Sequence, residues 1–495
     1  MVDCKTTKIA GSTNQRVKSV LMVAYAFPPE GSAGAYRPLR FLRHLTQLGW
    51  RASVISVDAD QYERYDQELL SLIPPGTEIL RVRSSDLWEK IQARRARRVQ
   101  EIVKRSSHAA ARLDAAHRAP VRSLLRGAVR ILEAWCYHAD AAMCWIRPAV
   151  KATLKLCKQE RPSVIWATAG PVASLVVAAR ASRRTGVPYV LDFRDAWTIT
   201  FNEFEARRPA WARLLDRRRM RRLLEGARSV VFLYDTMAEC YRKTYPGALD
   251  PSKIHIIPNG YEGEIDKSAP PKTDKCTLLY MGTLSSYRYD SLLKALVQLK
   301  RCDPARAQLL RLTFVREAME PPLSRVIVTL GLEDIVEIIP SVPHAEAVEK
   351  QRQAHALLLL GRPPSMKGYE LFAGAKLFGY LKSGRPIIGV LPNDETRKIL
   401  HRVGVTTIAD AGSPSEIVCV LYRLVETWLQ GRLNSLLPDR SKCEGYSAER
   451  QTEALIRALE GRSPREPFVP GAAQIPPSLR DEIAERQWLA CETRE

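Results

Sequence analysis

The stretch GAKLFGYLKSGRPIIGVLP, residues 374–392, decides the fold. Its apolar spacing predicts a short amphipathic helix that ends at Gly384, because glycine accepts the left-handed conformation that closes a helix. Arg385 and Pro386 then lead into a buried strand. Free N–H groups and the helix dipole favour an anion at a helix start, and Lys376 adds a positive charge there. The stretch therefore predicts a helix-to-strand unit of a parallel sheet with an anion site at the helix start.

The same alternation of apolar strands and helical segments extends outward from this stretch and occurs twice. It predicts an α/β fold with two parallel sheets, each covered by helices on both faces. A chain of 495 residues is also too long for a single core. The first predicted set of strands lies at 20–25, 52–58, 163–168, 189–193, 229–234 and 254–258, and the second at 277–282, 310–315, 335–340, 356–361 and 386–391.

The domain boundaries follow from changes in composition along the chain. Residues 261–275 are polar, contain prolines and lack periodicity, which is typical of a linker. The segments we expect are an N-terminal tail at 1–17, a first domain at 18–262 with a basic helical insertion at about 86–150, a linker at 263–275, a second domain at 276–440, a C-terminal helix at 441–462 and a proline-rich tail at 463–495.

The net charge of +22 indicates an anionic partner: nucleic acid, an acidic membrane or a polyanionic substrate. Twelve lysine and arginine residues lie between Lys90 and Arg130, against Glu101 and Asp114. Two interpretations stay open for this insertion: a solvated helical surface, or a surface that meets anionic lipid. Tryptophans are dispersed without the aromatic–basic interleaving that binds single strands, which disfavours nucleic acid.

Cysteine and hydropathy patterns bear on location. The ten cysteines form no CxxC pair, which disfavours a zinc site or a disulfide framework and fits a reducing cytosol. We see no apolar leader at the start of the sequence and no run of 18 apolar residues. The expected location is cytoplasmic, with a peripheral position on the inner membrane face. No histidine has metal spacing, and the Asp58-Ala-Asp60 triplet is interpreted as a strand end, so no metal is expected.

Four ordered segments carry a family resemblance: 20–50, 188–197, 253–262 and 375–387. They resemble the GT-B fold glycosyltransferases of family 4, which include bacterial lipopolysaccharide and exopolysaccharide transferases. The resemblance implies two Rossmann-like domains that face a central cleft. It also implies metal-independent, retaining transfer of a sugar from a nucleotide diphosphate sugar to an acceptor hydroxyl, on a lipid-linked or polysaccharide acceptor.

The resemblance places a ligand-binding loop after the first strand. Gly31, Ser32 and Gly34 would let the backbone lie against the donor diphosphate or the acceptor. Arg37 follows and is expected to reach phosphate. A plain turn between strand and helix is the alternative interpretation.

Asp192, Arg194 and Asp195 end a strand at the carboxyl edge, where open α/β sheets place their ligands. One interpretation is a structural ion pair between Asp192 and Arg194, which point to the same side of an extended chain. The other places a carboxylate, with Asp195 as the catalytic candidate, at an acceptor hydroxyl.

The resemblance assigns the diphosphate to the second domain. Lys376 and Arg288 are the expected cations, Gly374 marks the helix start, and Thr283 ends the first strand of that domain. Thr283 stands where relatives often have an arginine.

A second departure concerns the ribose. Relatives use a glutamate on this helix to bind the ribose hydroxyls, and the matching position here is Gly379. Glu370 is the candidate to replace it. The alternative to an enzyme is a catalytically degenerate GT-B protein that acts as a binding or scaffold partner.

Overall fold

The computed structural model describes residues 18–84, 142–199, 210–282, 284, 287, 289–316, 322–362, 368–374 and 376–466. Several sequence predictions fall outside these residues. They concern Thr283, Arg288, the basic insertion before residue 142, and both tails except residues 463–466.

The first half of the chain forms a parallel sheet whose strand order is β3-β2-β1-β4-β5-β6-β7 over the described residues. The order reverses between β1 and β4, so the connections leave in opposite directions and a crevice opens at the carboxyl ends of these strands. The strands are β1 Ser19–Val23, β2 Arg51–Val57, β3 Glu78–Val82, β4 Val164–Thr168, β5 Tyr189–Phe193, β6 Ser229–Phe232 and β7 Ile254–Ile256. The helices are α1 Ala33–Gln47, α2 Glu68–Ser71, α3 Met143–Glu160, α4 Ala173–Thr185, α5 Ala210–Gly226 and α6 Asp235–Thr244.

The second half forms another parallel sheet, with the order β10-β9-β8-β11-β12-β13 and a reversal between β8 and β11. Its strands are β8 Cys276–Met281, β9 Leu310–Arg316, β10 Val336–Pro340, β11 Ala356–Leu360, β12 Ile387–Leu391 and β13 Ile408–Asp410. Its helices are α7 Asp290–Cys302, α8 Pro304–Leu309, α9 Pro322–Thr329, α10 His344–Gln353, α11 Lys376–Lys382, α12 Glu395–Arg402 and α13 Pro414–Leu429. The predicted α/β class with two parallel sheets is confirmed.

The stretch at 374–392 forms the predicted unit. Helix α11 is followed by Gly384, whose φ of +61° is the left-handed conformation, and then by β12. Strands β11 and β12 are buried along their whole length, which explains why they appear in the sequence as continuous apolar runs.

The end of the described chain returns to the first half. Helix α14, Arg440–Cys443, leads through a short 3₁₀ turn to α15, Ala448–Glu460. Leu455 and Leu459 of α15 share a hydrophobic core with Val20 and Met22 of β1. The two sheets are therefore joined by packing as well as by the chain at 263–275. Within the described residues, the structure has no helix with both the length and the apolar character needed to cross a bilayer.

Candidate functional site

Lys376 lies at the carboxyl edge of the second sheet, where its ammonium is held by aromatic side chains. Its Nζ donates a hydrogen bond to Tyr280 Oη at 2.9 Å and lies 4.3 Å from the ring centre of Tyr280 and 5.0 Å from that of Tyr287. Gly282 has a φ of +110°, and a Cβ there would meet Nζ at 2.6 Å. Burial lowers the pKa of Lys376 to about 8. A glycine at the end of β8 thus makes room for a partly desolvated cation.

A pocket surrounds this cation at the reversal of strand order between β8 and β11. Its walls come from the ends of these two strands, from the start of α11 and from the start of α12. They include Tyr280, Tyr287, Gly361, Arg362, Tyr369, Phe372, Gly374, Lys376, Asp394 and Thr396. Open α/β sheets bind their ligands in this crevice. Of the predicted residues, the structure therefore brings Lys376 and Gly374 together at one pocket.

Asp394 is an ionisable wall residue that the sequence analysis missed. It caps α12, because its carboxylate accepts a hydrogen bond from the Arg397 N–H at 2.9 Å. Burial raises the pKa of Asp394 to about 7. The pocket thus holds a carboxyl group and an ammonium that both titrate near neutral pH. The available signal was an aspartate at a helix start directly after a buried apolar strand.

The two positions considered for ribose binding, Glu370 and Gly379, lie in a 3₁₀ turn and on α11. Glu370 lies in the 3₁₀ turn Tyr369–Leu371, and Leu371 packs into the core of the first half. Tyr369 lines the pocket, whereas Glu370 is not among its wall residues in the described part of the chain. Gly379 is exposed, and a Cβ there would meet open space. The turn at Tyr369–Leu371 is therefore a contact between the halves, and α11 has room for a larger side chain at 379.

Arg194 lies at the crevice of the first sheet, between two glycines. It donates from Nε to Ala169 O at 2.5 Å and from Nη2 to Gly170 O at 2.6 Å. A Cβ at Gly34 would meet its guanidinium at 2.6 Å, so glycine is required there for close packing. Asp195 Oδ2 is 3.7 Å from Arg194 Nε, and the Asp195 side chain is 61% exposed. Asp195 is thus open to a ligand beside a fixed cation.

A comparison with known families finds a match to part of the first half of the chain. The model for Glycosyltransferase Family 4 matches residues 109–264. The chain has the GT-B fold, and its residues 109–264 are similar to the family 4 glycosyltransferases.

Two solved structures are similar to this chain over most of its length. Sucrose-phosphate synthase from Thermosynechococcus elongatus is similar over 90% of this chain and 98% of that chain, with a TM-score of 0.57 and 12% identity. TarM is similar over 89% of this chain and 98% of that chain, with a TM-score of 0.55 and 9% identity. At these identities the likeness concerns the fold. No curated protein matches the sequence significantly.

In this GT-B protein, Arg37 is a buried structural residue, which corrects the expectation that it reaches phosphate. It forms a two-point ion pair with Asp192, at 2.7 and 3.0 Å, and the two side chains are 2% and 0% exposed. Arg37 also donates to the carbonyl oxygens of Ile257 and Pro258, and Thr168 donates to Asp192. The ion pair expected at Asp192 exists, but its arginine is Arg37 rather than Arg194. Asp192 is closed to an acceptor because its oxygens are occupied and buried.

The loop before α1 is also packed internally. Ser32 caps α1 by accepting the Gly34 N–H at 3.2 Å, and its hydroxyl donates to Glu30 at 2.6 Å. The Gly31 N–H donates to Arg64 O, and a Cβ at Gly31 would meet Asp66 Cβ at 3.2 Å. These contacts favour the alternative interpretation of Gly31 and Ser32, a structural turn between strand and helix.

Proposed function

We propose that the protein transfers a sugar from a nucleotide diphosphate sugar to an acceptor hydroxyl. The observation that carries this proposal is the ammonium of Lys376, held by Tyr280 above Gly282 in the crevice of the second sheet. A preorganised cation in a partly desolvated site stabilises charge that develops in a transition state. A departing nucleoside diphosphate develops that charge.

The second half would therefore hold the donor. Lys376 would contact the diphosphate, and Gly374 at the start of α11 leaves the approach open. Arg288 and Thr283, which lie outside the described residues, remain predicted neighbours of the same phosphates. Because Lys376 and Arg288 supply positive charge, we propose that transfer needs no metal.

The first half would hold the acceptor. Asp195 is its exposed carboxylate, and it could accept the proton of an acceptor hydroxyl while Arg194 fixes its position. The resemblance supports retention of anomeric configuration, a hexosyl donor and a lipid-linked or polysaccharide acceptor. The net charge of +22 supports association with an anionic membrane surface, as expected for a peripheral protein at the inner membrane face.

A panel of nucleotide diphosphate sugars, screened by thermal shift, identifies the donor. A ligand at 100 times its Kd stabilises the folded state by about 2.7 kcal/mol. With that donor, Lys376→Ala should lower transfer by roughly 10²–10³-fold. The unfolding temperature without ligand should stay close to that of the wild type.

Lys382→Ala is the matched control, because Lys382 is an exposed lysine on the same helix. It should leave both transfer and donor affinity unchanged. Transfer by Lys376→Ala within about threefold of the wild-type rate would contradict the proposed role, since one charge-stabilising donor contributes far more.

Gly379 favours a second candidate function, a GT-B binding protein without transfer activity. Helix α11 carries no carboxylate at this position, and a hydrogen bond to a charged group contributes about 1.5–3 kcal/mol. A degenerate protein would stay folded but show no thermal shift with any donor. The same panel therefore separates the two candidates.

A further inference from the structure

A cavity of about 580 Å³ lies where the two halves meet. One wall comes from the chain after β6 and from β7 and its exit, at residues 233–235 and 255–258. The facing walls come from α12 and from the α14–α15 region. The cavity shares no wall residue with the pocket around Lys376. It is therefore a separate candidate site, built by both halves of the molecule.

The walls of this junction cavity are rich in cations. The cationic wall residues are Arg402, Lys442, Arg450, Arg457 and Arg465, and the acidic ones are Asp235 and Glu466.

Carboxylates offset only part of this charge. Arg402 pairs with Asp235 at 3.3 Å, and Lys442 lies 3.8 Å from Asp439. Arg450 and Arg465 share the single carboxylate of Glu453, at 3.2 and 2.9 Å.

Arg457 is the cation whose charge is least compensated. Its Nε donates to the carbonyl oxygen of Ser463 at 2.9 Å, and it has no carboxylate partner in the described part of the chain. An arginine of this kind can bind the two oxygens of a phosphate with its remaining donors.

Three wall side chains, Tyr234, His255 and Gln451, also have buried polar atoms without hydrogen-bond partners among the described residues. His255 is 2% exposed and its Nε2 makes no hydrogen bond. Gln451 donates to Gly445 O at 2.7 Å, but its Oε1 has no partner. Burial, and secondarily Arg457, lowers the pKa of His255 to about 4, so its ring is neutral at physiological pH. The cavity thus combines cations with neutral groups that can hydrogen-bond to hydroxyls.

We propose that the junction cavity binds a phosphorylated sugar or polyol. The phosphate would contact Arg457 and Arg450, and the hydroxyls would reach His255 and Gln451. The volume is within the range of small-molecule sites. Because the walls belong to both halves, an occupant would stabilise one placement of the halves relative to each other. Helix α12 connects this cavity, through Ile399 and Arg402, with the Lys376 pocket at Thr396.

Isothermal titration of the full chain with glucose 6-phosphate tests the proposal. Inorganic phosphate and glucose are the comparison ligands. Glucose 6-phosphate should bind at least about tenfold more tightly than either, since only it uses the cations and the hydroxyl-binding groups together. No detectable binding, or equal binding of inorganic phosphate, overturns the proposal.

Three variants locate the binding. Arg457→Gln should weaken the binding of glucose 6-phosphate by about tenfold, because it removes a charge-assisted contact. Arg423→Gln, at an exposed arginine of α13, should change nothing. Lys376→Ala should also bind glucose 6-phosphate normally. Loss of binding in Lys376→Ala would assign the ligand to the Lys376 pocket and overturn the proposal. Unchanged binding by Arg457→Gln would overturn it as well. None of these measurements needs transfer activity, so their failure is distinct from failure of the proposed function.

Discussion

At the scale of the residue, Lys376 should make the affinity for the donor depend on pH. Its pKa is about 8 because burial removes water from the ammonium. Only the protonated form attracts a diphosphate, so donor affinity should fall as pH rises through about 8. Lys376→Arg keeps the charge, because a guanidinium stays protonated throughout this pH range. The donor KM of both proteins, measured from about pH 6.5 to 9.5, checks the assignment.

The arginine variant should lose the alkaline rise in KM, or show it at higher pH, even if its KM at neutral pH is worse. Lys382→Ala should keep the wild-type profile. An unchanged alkaline rise in Lys376→Arg would assign the titration to another group, and Lys376 would no longer be the phosphate ligand.

The pairing of Arg37 shows where prediction from sequence ends at this scale. The sequence indicates that Lys376 precedes a helix stop and that Asp192 ends a strand, and both placements are local. The partner of Arg37 is 155 residues away, and the pair forms because β1, β4 and β5 lie side by side. The sequence pattern does not predict which strands are neighbours in the sheet. In the sequence, an arginine beside a glycine-containing loop therefore has the pattern of a phosphate ligand.

At the scale of the element, helix α15 should contribute strongly to stability. Leu455 is fully buried against the first sheet, although it lies nearly at the end of the described chain. Leu455→Ala should lower the free energy of unfolding by about 2–5 kcal/mol, since it removes buried methyl groups and leaves a cavity. Leu429→Ala is the control, because that leucine is 51% exposed at the end of α13. Urea unfolding with equal midpoints for the two variants would show that α15 does not hold the halves together.

The elements that the sequence predicted share one property. Strands such as β1, β4 and β5 are buried on both faces, so each is a continuous apolar run that is visible without a structure. Strands β3 and β13, which lie at sheet edges, are not predicted from the sequence pattern. Most of β3 is partly exposed and its sequence includes Glu78 and Arg81, while β13 has only three residues. An edge strand pairs on one side only, and its identity depends on the neighbour that it meets.

At the scale of the whole molecule, the two halves are connected by polar contacts that neither half contains alone. Thr236 of α6 donates to the buried carboxylate of Glu395 at 2.6 Å, and Lys398 of α12 contacts both, at 2.9 and 2.8 Å. The turn at Tyr369–Leu371 also inserts Leu371 into the first core. The pocket around Lys376 and the junction cavity therefore depend on the same helix, α12. A motif within one half is enough to predict Lys376. The surroundings of Glu370 depend on the other half, and a local motif does not indicate them.

The net charge of +22 leads to the last prediction, which concerns the surface that the whole molecule meets. The basic insertion should bind anionic vesicles, since each cation near such a surface contributes about 1 kcal/mol. The protein should sediment with phosphatidylcholine vesicles that contain phosphatidylglycerol and not with phosphatidylcholine alone, and salt should release it. A variant with glutamine at Arg94, Arg95, Arg97 and Arg98 should lose most of this binding. The matched control, with glutamine at the exposed Arg301, Arg423, Arg432 and Arg440, removes the same charge from the second half. If both variants lose binding equally, the overall charge rather than the insertion attracts the membrane. If the wild type binds neither kind of vesicle, the proposed association with the inner membrane face is wrong.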